Sequence, residues 1–110
     1  MARIVRAYVT WPGPEHDVLR VVAEPTPDDW LPEAISSDVT LFREPDEHDE
    51  PTGPVVGIEI IDFLRFDEWD MVPETHALWQ LRGEKPLPLG ELLKRKQQAL
   101  RERVALKKAG

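Results

Sequence analysis

The segment Val55-Val56-Gly57-Ile58-Glu59-Ile60-Ile61 constrains this chain more than any other. On a strand, Val56, Ile58 and Ile60 would line one face, and Val55 and Ile61 would add apolar surface to the other. A strand that is apolar on both faces belongs inside a sheet, so the chain must supply strands on either side of it. Gly57 within the run points to a bulge or a close backbone approach. Glu59 interrupts the run, which falls far short of the ~20 apolar residues that span a membrane.

The partners are sought on both sides. Arg3 to Trp11 alternates, with Val5, Ala7, Val9 and Trp11 on one face and Arg6 and Thr10 on the other. Pro12-Gly13-Pro14 must turn, because prolines donate no ladder hydrogen bond and glycine takes positive φ without cost. Asp17 to Glu24 then places Leu19, Val21 and Ala23 on one face, a hairpin partner for the first strand. Thr26-Pro27-Asp28-Asp29 reads as the start of a short helix, with Thr26 as cap and Pro32 as its stop, carrying Trp30 and Leu31 inward. Asp38 to Arg43 is a third strand, and Val55 to Phe63 the fourth.

Beyond Phe63 the pattern turns helical. Phe66 to Asp70 forms one turn that sets Trp69 against the sheet. Pro73, Glu74, Ala77, Leu78 and Leu81, closed by Gly83, fit a helix of two to three turns, and Lys85-Pro86-Leu87-Pro88 an extended connector. From Leu89, the residues Leu92, Leu93, Lys96, Leu100, Arg103 and Val104 recur at helical spacing, with Lys94, Arg95, Gln98, Arg101 and Glu102 opposite. The expected architecture is α+β in a single domain over 1–110. An antiparallel four-stranded meander (1–63) is followed by short helices and connector (64–88) and a basic C-terminal amphipathic helix (89–108). At this length one core forms, burying roughly 65% of the surface of the unfolded chain.

The pattern His16-Asp17-Val18-Leu19-Arg20-Val21, then Val39-Thr40-Leu41-Phe42-Arg43 with an acidic turn, then Val55 to Asp62, resembles a family of small bacterial domains of unknown function. Its specific motif is Val56-Gly57-Ile58-Glu59-Ile60, and the resemblance covers about residues 4–63. It implies a curved antiparallel meander and no catalytic residues. The chain departs from the pattern in Pro51, in the extra acids between the third and fourth strands, and in the 45 or so residues after the motif.

Charge separates along the chain. Residues 89–110 hold seven Lys or Arg against two Glu, a surplus of five positive charges. The whole chain carries −7, so the other 88 residues carry −12. A body of that sign repels phosphate, which confines any nucleic-acid contact to the C-terminal helix. Cysteine is absent, which removes disulfides, thiolate metal sites and cysteine nucleophiles and fits a cytoplasmic protein. Met1 to Trp11 has no apolar core of a signal peptide.

Candidate chemistry is sparse, and the inventory leans against an enzyme. The acids Glu44, Asp46, Glu47, Asp49 and Glu50 around His48 lack the Asp-x-Asp-x-Asp-Gly spacing of a calcium loop and read as a solvated connection. His16, His48 and His76 show no helical metal-pair spacing. Ser36 and Ser37 are the only serines, and neither lies in a Gly-x-Ser-x-Gly elbow. Glu59 with Asp62 would do acid–base work only from an inward position; otherwise Glu59 is the polar side of a pleat. No glycine-rich phosphate loop or other cofactor motif occurs. Trp11, Trp30, Trp69 and Trp79 sit in acidic segments, which favours core packing or a protein interface over stacking on nucleobases.

The functional expectation is a non-catalytic protein–protein interaction module that self-associates through the C-terminal helix, as a homodimer, with another protein partner as the other possibility for that surface. Its candidate surface is Leu89, Leu93, Lys96, Leu100, Arg103 and Val104. A nucleic-acid-associated or antitoxin-like regulator binding through the same helix is the alternative. A metal-dependent enzyme built on the histidines and acids is a weaker one. Catalytic, metal and cofactor residues are not assigned, and no membrane association is expected.

Overall fold

The apolar run at 55–61 lies inside a sheet, as its two apolar faces require. The computed structural model describes residues 3–26, 28–45, 47, 48, 50 and 53–109. Seven strands form the sheet: β1 (Arg3–Thr10), β2 (Val18–Ala23), β3 (Leu31–Ala34), β4 (Val39–Arg43), β5 (Val55–Ile61), β6 (Ala77–Leu81) and β7 (Leu87–Pro88). Their order is β3-β4-β5-β2-β1-β6-β7. One helix, α1 (Leu89–Ala109), begins directly after β7. The fold is α+β with a C-terminal helix, but the sheet is not a four-stranded antiparallel meander. It is mixed, because β1 and β6 run parallel while every other pair is antiparallel.

β1 and β2 form the expected hairpin, with Val9 opposite Val21 and Ala7 opposite Ala23. β5 sits between β4 and β2, so Ile58 faces both Leu41 and Val21, and Ile60 both Val39 and Leu19. Gly57 answers to both readings of the glycine. The register slips between Phe42 and Arg43, leaving Val56 as an extra residue in a bulge. A Cβ at 57 would also lie 3.0 Å from the Val21 carbonyl oxygen and 3.3 Å from the Phe42 ring.

Three expected elements are replaced. Residues 28–34 do not coil: Thr26 Oγ1 donates to the Ala23 carbonyl, and Leu31–Ala34 pairs with β4 as an edge strand. Pro32 is tolerated there because an edge strand can leave a donor unpaired. The expected helix over 73–83 is strand β6. His76, at φ 56°, redirects the chain, and Ala77, Trp79 and Leu81 then alternate inward against Leu78 and Gln80. The connector at 85–88 supplies the opposite edge, β7. Asp62, at φ 54°, ends β5, and 3-10 turns follow at Phe63–Arg65 and Trp69–Met71. Trp69 packs edge-on to Phe66 at 4.9 Å. Pro27, Asp46, Asp49 and Pro51 lie outside the described residues.

The core occupies one face of the sheet, under α1. Leu19, Val21, Val39, Leu41, Ile58, Ile60 and Trp79 rise from the strands, and Leu89, Leu92, Leu93 and Leu100 descend from the helix. The far face is partly covered by Trp30, stacked on Phe42 at 4.6 Å. Elsewhere it shows Ile4, Tyr8 and Ile61 to solvent. There Arg20 Nε and Nη2 both donate to Glu59 Oε2, with the guanidinium 5.4 Å from the Phe42 ring centre.

Candidate functional site

The six helix residues expected to form an interaction surface divide into two groups. Leu89, Leu93 and Leu100 are buried against the protein's own sheet, at 2%, 0% and 7% exposure. Their stripe is occupied within one molecule, and a second copy reaches it only if the helix leaves. Lys96 and Val104 are half-buried at the margin, and Arg103 is exposed.

Arg103 and Val104 line an open groove between the second half of α1 and the β1–β2 connection. Its floor and walls are Trp11 to His16 on the sheet side and Arg103, Val104 and Lys107 on the helix side, enclosing about 600 Å³. A smaller hollow of about 280 Å³, lined by Val9, Trp11, Lys96, Ala99, Leu100 and Arg103, shares Trp11 and Arg103 with it. Together they bring the apolar surface of Val9, Trp11, Leu100 and Val104 beside the cations Lys96, Arg103 and Lys107.

Both walls are held by the turn after β5. On the sheet side, Gly13 at φ 137° lets the chain enter the 3-10 turn at Pro14–His16. Asp17 closes that connection: Oδ1 accepts from Trp11 Nε1 at 2.8 Å and Oδ2 from the Leu64 amide at 2.8 Å. The Asp17 carbonyl accepts from the Phe63 amide at 3.2 Å. On the helix side, Gln97 Nε2 donates to the carbonyls of Phe63 and Phe66, at 2.8 and 2.7 Å, and Arg101 Nε to that of Leu64 at 2.7 Å. Both walls of the groove are therefore tied by hydrogen bonds to one short segment, 63–66.

The helix cations differ in what they do. Lys94 lies 5.6 Å from the Trp69 ring centre, Arg95 pairs with Glu91 at 3.0 Å, and Lys96 with Glu84 at 3.6 Å. Arg103 and Lys107 make no hydrogen bond or ion pair with any described residue. They leave positive charge on the groove's rim, faced across it by Glu15 and His16.

The other candidates do not come together. Among the described residues, no three His, Asp or Glu side chains converge on a point where they could hold a metal. His16 is in the groove wall, His48 lies 3.5 Å from Glu47, and His76 occupies the turn before β6, its amide bonded to Glu74. Glu59 is on the face away from the helix, paired with Arg20 rather than Asp62. Trp79 is fully buried and its Nε1 donates to Thr75 at 3.0 Å. No described helix is long and apolar enough to cross a membrane.

Sequence reasoning missed Gln97, Asp17 and Lys107. Gln97 had a signal, since it falls between Leu93 and Leu100 on the inward stripe, where a polar side chain must find a buried partner. Lys107 stands one turn after Arg103 on the same flank. Asp17 was legible only as a strand start, because its partners come from residues 11 and 64. Comparison with protein-family models, curated proteins and solved structures finds no match to this chain.

Proposed function

We propose that this chain is a non-catalytic protein–protein interaction module that self-associates through the exposed flank of its C-terminal helix. The observation that carries this reading is the groove itself: apolar surface at Trp11 and Val104 beside the exposed cations Arg103 and Lys107, on a chain whose remainder is strongly acidic. Such a trough suits an acidic polypeptide segment, and a second copy offers one. The leucines of the inward stripe hold the fold, while Lys96, Arg103 and Val104 meet the partner.

A nucleic-acid-associated or antitoxin-like regulator would use the same helix. Lys94, Arg95 and Arg101, which would face phosphate, are instead engaged by Trp69, Glu91 and the Leu64 carbonyl, and this favours the protein partner. Light scattering behind size exclusion, on the full chain over a hundredfold concentration range, tests the reading. A dimer that dissociates on dilution is the expected result. A monomer throughout rejects it.

A further inference from the structure

The two charge extremes of the chain lie at opposite ends of the sheet. The groove is at the end where β1 finishes, beside Trp11. The β4–β5 connection, closed by the Glu44 amide to the Pro54 carbonyl and the Gly53 amide to that of Glu44, lies at the other end. The register fixes this: Ile61 is opposite Val18 next to the groove, whereas Val55 starts β5 at the end where Glu44, Glu24 and Arg3 share a hollow. From Val55 to Ile61 the strand alone covers about 20 Å. That is twice the distance of about 8–10 Å over which charges act in physiological salt. Glu47 and Glu50, both exposed beyond the hairpin closure, are too far from Arg103 and Lys107 of their own chain to neutralise them.

We infer that the groove receives the acidic β4–β5 connection of a second copy, with Glu47 and Glu50 against Arg103 and Lys107. This rests on the self-association proposed above and names its two surfaces. Since groove and acids stand at opposite ends, two copies laid antiparallel satisfy both contacts at once about a two-fold axis. The arrangement closes as a dimer and leaves no groove open. Trp11 and Val104 supply apolar area at the centre of each contact, and the cations set its polarity and orientation.

Charge exchange tests it on the full-length protein by light scattering, with circular dichroism to verify the fold. In the variant Arg103→Glu/Lys107→Glu, groove and connection are both acidic. In Glu47→Lys/Glu50→Lys, the groove stays basic and the connection turns from strongly acidic to nearly neutral, with basic side chains at the two contacting positions. Each variant alone should dissociate, its Kd raised about tenfold to a hundredfold. An equimolar mixture should recover the dimer, because the reversed charges at positions 103 and 107 then meet reversed charges at 47 and 50. If the parent dimerises and both variants do so equally well, the contact lies elsewhere, for instance on the face bearing Ile4 and Tyr8. Self-association then stands and the groove assignment falls. If the mixture stays monomeric while the parent dimerises, the pairing of these two surfaces is wrong. A parent that is monomeric throughout removes the self-association reading itself.

Discussion

Gln97 carries more of this structure than its residue type suggests. It is 6% exposed, and both of its amide hydrogens go to backbone carbonyls of the 63–66 segment. Phe63 also accepts from the Phe66 amide, so loss of Gln97 leaves the Phe66 carbonyl as the more seriously deprived acceptor. A buried acceptor without a donor costs about 1–3 kcal/mol. Gln97→Leu keeps the volume and adds apolar surface, yet should lower stability by an amount in that range. It would be read as a lower urea midpoint at unchanged slope. A variant as stable as the parent would show that water satisfies the two carbonyls. The same clamp sets the helix wall of the groove, so the variant should also weaken self-association beyond its effect on folding.

At the scale of elements, α1 is the clearest case of a sequence pattern that names a structure but not its destination. The leucine spacing specifies an amphipathic helix equally well whether the stripe meets its own sheet or a second copy. The decision comes from the sheet, whose core face, with Trp79 fully buried, is covered by α1 together with Phe63 and Phe66 of the segment after β5. Strand β6 shows the opposite difficulty. Five residues are too few to separate a period of 2 from one of 3.6, and Pro73 and Gly83 carry the punctuation of a helix. Its partner β1 lies some seventy residues earlier, a parallel pairing that no local window can register. β3 was hidden by Pro32, which reads as a helix stop until its edge position is known. The chain ending at Pro88 should therefore not fold. It would lose Leu89, Leu92, Leu93 and Leu100, each contributing about 1.5–3 kcal/mol by burial. The sum rivals the stability of about 5–15 kcal/mol typical of a domain. Loss of near-ultraviolet dichroism from the tryptophans would show it; a cooperatively folded truncation would mean the sheet is stable without its helix.

For the whole molecule, the sign of the salt dependence separates the two ways in which copies of this chain can meet. Each carries −7, so two copies repel at long range, and added salt relieves that repulsion. A contact through the open sheet face, where Ile4, Tyr8 and Ile61 are 52%, 41% and 39% exposed, is apolar at its centre and would tighten as salt rises. A contact between the groove and the acidic connection depends on opposite charges at the rim, exposed to solvent on both sides. Screening weakens such pairs, as the reach of a charge falls from about 10 Å at 0.1 M to about 3 Å at 1 M salt. The molecule is elongated, 52 Å along its longest axis, so antiparallel copies hold their acidic connections well apart and long-range repulsion is the smaller effect. Sedimentation equilibrium between 0.05 and 0.5 M sodium chloride should show the dimer Kd rising, by roughly tenfold for the few pairs involved. A Kd that falls over the same range would move the interface from the basic groove to the open face of the sheet.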